Sequence, residues 1–359
     1  MTGSGGVDGR IPVAVLGATG SVGQRFVELL HNHPWFRLAE VCASERSAGR
    51  AYAEAARWMQ ASPLPEGVAE MVVGPSAPPL ESRLVFSALD AGVAGPVEEA
   101  FARAGHLVVS NARNHRMDPR VPLLVPEVNP EHLALLEGQP WEGGIITNPN
   151  CSTIGLVLAL KPLHDRFGVR SVRVVTMQAV SGAGIPGVSS MEILDNVIPF
   201  IGGEEEKLET EPLKILGTLG AEGVEPPDLR IWAQCNRVPV VDGHTACVWV
   251  GLERPATRET ILEAWRDFSP AVAASGLPSA PSPTVVVLDG DASPQPRLHR
   301  ELGKGMAASV GRLRPVKGGE FAFVTLSHNT IRGAAGGAIL CAELAVDRGL
   351  VPGLARPGR

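Results

Sequence analysis

Three glycines at intervals of three, Gly17, Gly20 and Gly23, stand between an apolar run that starts at Ile11 (IPVAVLG) and a segment with helical spacing of Phe26, Val27, Leu29 and Leu30. Strand, glycine turn and helix in that order open a βαβ unit. Glycines at such a turn let the backbone approach a pyrophosphate, and the helix that follows offers free N–H groups and the positive end of its dipole. The spacing departs from G-x-G-x-x-G, and a tight turn with close helix packing would call for the same glycines.

Further runs extend the pattern. RLAEVCAS (Arg37 to Ser44), RLVFSAL (Arg83 to Leu89) and HLVVSNA (His106 to Ala112) read as short buried strands. Between the last two, VAGPVEEAFARAG reads as a helix from near Pro96. The alternation predicts an α/β fold whose N-terminal part is a Rossmann-like, doubly wound parallel sheet. After residue 150 the texture changes. A strong helix is expected from Ser152 to Phe167, followed by the strand-like runs VRSVRVVTMQAV, DLRIWAQCNRVPV, HTACVWVGL and TVVVLD with few helices between them. That predicts a C-terminal α+β unit with a mainly antiparallel sheet. Helices are also expected from Arg258 to Phe268, at the surface over EEEKLETEPLKILG, and in RGAAGGAILCAELAVDRG, which should pack back on the first sheet. The expected division is residues 10–150 with 329–355 as the nucleotide-binding unit, and 151–328 as the catalytic and dimerisation unit.

A chain of 359 residues with 44% hydrophobic content can build two such cores. Its net charge of −6 offers no basic surface to a nucleic acid or an anionic membrane. No run reaches the ~18 apolar residues of a membrane helix, and the Gly-rich start lacks the apolar stretch of a signal peptide. The five cysteines are an odd set without a CxxC pair, which argues against a disulfide framework or a metal site. A cytoplasmic protein is expected, where a free thiolate survives as a reagent.

One cysteine suits that use. NPNCSTIGLVLALKPL places Cys151 at the mouth of a helix, with Ser152 and Thr153 expected to cap its first turn. The helix dipole and unpaired N–H groups stabilise a thiolate there and can hold a developing oxyanion. Cys42, Cys247 and Cys341 lie within apolar runs and read as small buried hydrophobes. Cys235 borders Arg237 and fits either reading. At the end of the second strand, CASERSAGR supplies Ser44, Arg46 and Ser47 where NAD-binding folds often carry an acid. Donors and a positive charge suit a 2′-phosphate, so NADP is the expected cofactor, although Glu45 is an awkward neighbour for it.

Seven segments in order, GATGSVGQRFVELL, SNARNHRMDPRVPLLVPEVNP, NPNCSTIG, MQAVSGAGIPG, GGEEEKLETEPLKILG, NRVPVVDGHT and LSHNTIRGAAGGAIL, resemble the aspartate-β-semialdehyde dehydrogenases, closest to the archaeal and fungal branch. The resemblance runs from about Ile11 to Val346. It implies a glyceraldehyde-3-phosphate-dehydrogenase-like fold and the NADPH-dependent reduction of L-aspartyl-4-phosphate to aspartate semialdehyde and phosphate. It carries the nucleophile onto Cys151, the acid/base histidine onto His244, and the glutamine that orients the acyl intermediate onto Gln178. It carries the substrate-carboxylate arginine onto Arg237 and the phosphate arginine onto Arg116. An E-x-x-K pair falls on Glu204, facing the substrate amine, and Lys207, facing the phosphate. The cofactor would lie on Gly17, Thr19, Gly20, Ser21 and Val22, with Ser181, Gly182, Asn329 and Gly333 also contributing. A homodimer or homotetramer is implied, as is a role in amino-acid biosynthesis.

The chemistry asks for these residue types. An acyl phosphate is open to a soft nucleophile, and a thiolate is one. Proton transfers at sulfur and oxygen call for a group titrating near neutrality, which points to histidine. Planar, two-pronged binding of a carboxylate gives Arg237 its role. A related reductase acting on malonyl-CoA or N-acetylglutamyl phosphate would share the nucleophile; Arg237, Arg116 and Lys207 favour a small, doubly anionic acyl phosphate. A binding protein that had lost catalysis would lack the cysteine or the histidine, and both are present.

Overall fold

The computed structural model describes residues 9–357 apart from 222 and 352. Six strands, β1 (Ile11–Leu16), β2 (Phe36–Ala43), β3 (Gly74–Pro75), β4 (Leu84–Ser87), β5 (Leu107–Ser110) and β6 (Gly144–Thr147), form a parallel sheet in the order β3-β2-β1-β4-β5-β6. The order reverses between β1 and β4, the point at which an open parallel sheet offers a crevice beyond the carboxyl ends of its strands. The helix Ser21–Leu30 follows β1 and the helix Ala91–Arg103 follows β4. The second helix starts five residues before Pro96, which lies inside it. Gly92 and Pro96 are both exposed, so the turn that loses a hydrogen bond to the proline stands on the wet side.

The second sheet contains β7 (Val169–Gln178), β10 (Arg230–Arg237), β11 (His244–Leu252), β12 (Val285–Leu288), β13 (Ala308–Val316) and β14 (Glu320–Ser327); β8 (Thr218–Gly220) and β9 (Gly223–Glu225) make a separate hairpin. Its order is β10-β7-β11-β14-β13-β12, with antiparallel pairs in the middle and parallel pairs at both edges. The strand signals do not mark β6, β13 or β14. Strand β13 is broken by a register shift between Gly311 and Arg314, with Arg312 in the left-handed region at φ 54°, so its alternation is lost.

Along β11, His244, Ala246, Val248 and Val250 are buried, whereas Cys247 and Trp249 are half-buried. The alternation gives the sheet one covered and one open face. Cys247 therefore lies on the open side instead of in the core expected for it. The covered face receives the helix Cys151–Phe167, whose Ile154, Val157, Leu158, Ala159, Leu160 and Leu163 are all fully buried. A helix that is apolar nearly all round has to be enclosed, and Trp265 Nε1 donates to Ala159 O at 2.9 Å from the neighbouring helix Arg258–Arg266.

The last helix, Gly336–Asp347, contributes Ile339, Leu340 and Leu344 to the same cluster as Val13, Phe26 and Phe86 of the first sheet. A short π-helix, Ile331–Ala335, precedes it, where a continuous α-helix was expected. No helix among the described residues is long and apolar enough to cross a membrane.

Candidate active site

The first turn of the helix Cys151–Phe167 faces the end of β11. Cys151 Sγ lies 3.2 Å from His244 Nε2. The other ring nitrogen, Nδ1, accepts the backbone N–H of Ala179 at 3.0 Å. Nδ1 is therefore unprotonated, and a neutral ring carries its proton on Nε2, against the sulfur. Burial, with Arg237 and His328 nearby, pushes His244 down from 6.5 to about 3. The group expected to titrate near neutrality is held neutral as a hydrogen-bond donor. Burial also pushes the Cys151 thiol up to about 12; the Glu204 carboxylate adds to this, while Arg116, Arg237 and Lys207 oppose it.

Asn150, which was not among the expected site residues, organises the start of the helix that carries Cys151. Its Oδ1 accepts the Ser152 N–H at 2.9 Å and so caps the helix. Ser152 and Thr153 do not cap: they are already inside the helix, and both hydroxyls are buried without a partner among the described residues. Asn150 Nδ2 donates to the Glu204 carboxylate at 2.9 and 3.1 Å, and the Asn150 N–H donates to Glu211 Oε2 at 2.7 Å. The preference of Asn for helix N-caps was the available signal.

Glu204 is a hub. It accepts Gln178 Nε2 at 3.1 Å and Lys207 Nζ at 2.8 Å as well as Asn150. The helix that carries it, Glu204–Ile215, is not the surface helix its charges suggest. Glu204, Glu211 and Lys214 are buried toward the site, while Glu205 and Glu209 accept the free-edge N–H groups of Cys235 and Ala233 on β10. Nearly every charge on this helix has a structural partner. Arg116 pairs with Glu211 at 2.9 Å and donates to Asn111 O at 2.7 Å, leaving its buried Nε without a protein partner among the described residues.

Arg237 Nη1 donates to Ala179 O at 2.8 Å. Ala179 thus holds His244 through its N–H and Arg237 through its carbonyl. Gly182 covers both: a Cβ built there would meet Arg237 Nη1 at 3.0 Å and His244 Cε1 at 3.1 Å. Asn329 donates to Ser181 Oγ at 2.8 Å and accepts the Gly243 N–H at 2.8 Å, which links the loop after β7 to the residue before His244. Gly333 lies directly on Cys151, where a Cβ would stand 2.7 Å from Cys151 Cβ. The structure therefore brings Cys151, Gln178, Ser181, Gly182, Glu204, Lys207, Arg237, His244, Asn329 and Gly333 into one connected cluster.

The glycine turn lies across the crevice. Gly17 adopts φ 70°, and a Cβ on Gly23 would stand 2.1 Å from Gly17 O, so neither position has room for a side chain. Gln24, fully buried, donates to Thr19 O at 2.9 Å, and the single tyrosine, Tyr52, donates to Ala18 O at 2.8 Å. The helix that starts at Ser21 has Gly20 as its N-cap and no side chain on its first amides. Gly20, Ser21 and Val22 thus leave an anion-binding helix start free, which fits a dinucleotide pyrophosphate. A Cβ at Gly184 would lie 3.9 Å from Ser21 Oγ, so the loop after β7 closes over this turn. Ser44, Arg46 and Ser47 form an exposed turn next to it, beyond β2.

A helix-borne cysteine paired with a histidine, beside a helix start free to take a pyrophosphate, is the arrangement of a nicotinamide-dependent dehydrogenase that works through a cysteine. Residues 12–136 match the family described as semialdehyde dehydrogenase, NAD binding domain, and residues 160–332 match semialdehyde dehydrogenase, dimerisation domain. The chain is 48% identical over 349 residues to aspartate-semialdehyde dehydrogenase of Archaeoglobus fulgidus, covering 95% of this chain and 100% of that one. The structure of the Candida albicans enzyme with NADP superposes with a TM-score of 0.88 at 46% identity, over 95% of this chain and 100% of that one. That of Vibrio cholerae aspartate semialdehyde dehydrogenase II complexed with ASA gives 0.75 at 27% identity, over 94% and 98%. The chain belongs to the aspartate-semialdehyde dehydrogenase family.

Proposed function

We propose that the protein catalyses the NADPH-dependent reduction of L-aspartyl-4-phosphate to L-aspartate-4-semialdehyde and phosphate through a thioester on Cys151. The observation that carries this reading is the sulfur of Cys151, 3.2 Å from His244 Nε2 at the start of a buried helix, in a chain of this family. NADPH supplies the hydride when bound. The uncapped amides of Ser21 and Val22 would hold its pyrophosphate, Ser44, Arg46 and Ser47 its 2′-phosphate, and Ser181, Gly182, Asn329 and Gly333 would line the nicotinamide end.

The protein's own groups divide the remaining work. Cys151 Sγ bonds to the acyl carbon as its thiol proton passes to the departing phosphate, which leaves with the electrons of the broken C–O bond. His244 holds a proton at Nε2, directed at the sulfur and at the oxygen that gains charge. Gln178 orients the acyl group. Arg237 takes the substrate's α-carboxylate, Arg116 and Lys207 take the phosphate, and Glu204 stands where the substrate amine would be read. Residues 10–150 with 329–355 form the cofactor unit in this reading, and 151–328 the catalytic unit; the packing of the last helix under the first sheet supports that division.

A homodimer through the open face of the second sheet fits the half-buried Trp249 and the Arg173 guanidinium stacked 5.4 Å over Trp232. A cytoplasmic setting fits the free, buried cysteines.

The test is mass spectrometry of protein quenched with aspartyl phosphate in the absence of cofactor. An aspartyl adduct on Cys151 is expected, and its absence overturns the reading. Turnover of malonyl-CoA without any NADPH formation from aspartate semialdehyde, phosphate and NADP would assign a related reductase instead.

A further inference from the structure

We propose that Glu211 and Lys214 are positioning residues that hold the phosphate-binding arginine and the nucleophile in one fixed relation; this rests on the reading of Arg116 as the phosphate ligand. Glu204, Lys207, Glu211 and Lys214 fall at intervals of three, four and three, which places them on one helical face. The first pair reaches toward the substrate. The second pair reaches the loop that carries Arg116.

Glu211 uses its two oxygens on two different parts of the site. Oε1 accepts Arg116 Nη1 at 2.9 Å and Oε2 accepts the Asn150 N–H at 2.7 Å. A single buried carboxylate therefore spans the guanidinium and the residue just before Cys151. Lys214 Nζ, also buried, donates at 2.7 Å to each of the carbonyls of Arg116, Asp118 and Val121. One ammonium thus closes the loop around Arg116 by its backbone, while Glu211 fixes the same residue by its side chain. Loss of either group strands buried donors or acceptors whose only remedy is movement of the loop. The second E-x-x-K unit binds no substrate in this arrangement; it sets where the first-contact residues stand.

The sign of the effect separates positioning from plain electrostatics. Removal of the Glu211 charge alone would tighten an anion on Arg116, whereas loss of its grip would loosen the anion. Assayed with aspartate semialdehyde, phosphate and NADP, Glu211→Gln is expected to raise the KM for phosphate at least tenfold. The KM values for aspartate semialdehyde and NADP should stay within twofold. Lys214→Gln should do the same, and Glu211→Asp, which restores the charge, should recover part of the loss. Arg116→Gln should raise the same KM, and the double variant Arg116→Gln with Glu211→Gln should add nothing further.

An unchanged or lowered phosphate KM in Glu211→Gln, or equal rises for all three substrates, overturns the proposal. Should Arg116→Gln itself leave the phosphate KM unchanged, the assignment of Arg116 fails first, and the positioning role falls with it. If Glu211→Gln does not fold, Lys214→Gln carries the test with the same two outcomes.

Discussion

The backbone N–H of Ala179 donates to His244 Nδ1 at 3.0 Å and so decides which nitrogen of the ring bears the proton. The ring meets the sulfur with a donor, and protonation at Nδ1 has to break the hydrogen bond to Ala179. An imidazole held in this way stabilises a thiolate or a developing oxyanion without changing its own charge.

The tautomer is directly observable. In the ¹⁵N spectrum of the labelled enzyme, His244 should show a protonated Nε2 and a bare Nδ1 from about pH 5 to about pH 8. Its pKa should sit far below the ordinary 6.5, near the value of about 3 that burial imposes. A midpoint between about 6 and 7 would remove the backbone hold as the determinant.

Glu204 raises the pKa of the Cys151 thiol through its negative charge. In Glu204→Gln the sulfur should ionise more readily, because the neutral amide no longer opposes the thiolate. The pH midpoint of Cys151 alkylation by iodoacetamide should move down. An upward shift would contradict the electrostatic reading of the hub, and the same assay on Arg237→Ala should move the midpoint up.

Arg237 keeps one guanidinium nitrogen on Ala179, and in the proposed reading the rest takes the substrate's carboxylate. Lysine at this position keeps the charge and loses the fork. The KM for aspartate semialdehyde in Arg237→Lys should rise by ~10-fold or more. An unchanged KM would show that the carboxylate binds elsewhere.

Gly333 has no room for a side chain, since a Cβ would stand 2.7 Å from Cys151 Cβ and 2.9 Å from its Cα. Gly333→Ala should displace the nucleophile. A loss of about 1–3 kcal/mol in unfolding free energy is expected from overpacking, together with a fall in kcat of ~10-fold or more from the shifted sulfur. Retention of full kcat would mean that the π-helix can move away without consequence.

Arg46 stands exposed in the turn beyond β2. Arg46→Ala should weaken NADPH and leave NADH nearly unchanged, lowering the ratio of kcat/KM values by ~10-fold. Equal effects on the two cofactors would move the 2′-phosphate to another group.

Much of the molecule was written in local pattern. The glycine turn, the strand alternation of β11 and the cysteine at a helix mouth depend on neighbours in sequence, because backbone sterics and the periods of 2 and 3.6 act over short distances. The seven family segments singled out Cys151, His244 and Arg237, which the fold brings together. The charged helix Glu204–Ile215 was misread for the opposite reason. A run such as EEEKLETEPLK looks solvated in isolation, and only the approach of Asn150, Arg116 and the β10 edge turns its carboxylates inward. The cap on Cys151 likewise passed from Ser152 to Asn150 by a shift in where the helix begins.

Sequence alone determined the chemical inventory: a thiol, an imidazole, two arginines and a glycine turn without side chains. The tertiary structure decided how those groups are charged and which nitrogen faces the sulfur. Residues 61 positions apart, Asn150 and Glu211, and 65 positions apart, His244 and Ala179, are brought together by the tertiary fold. Protonation states depend on burial and on partners distant in sequence, and no local pattern carries that information.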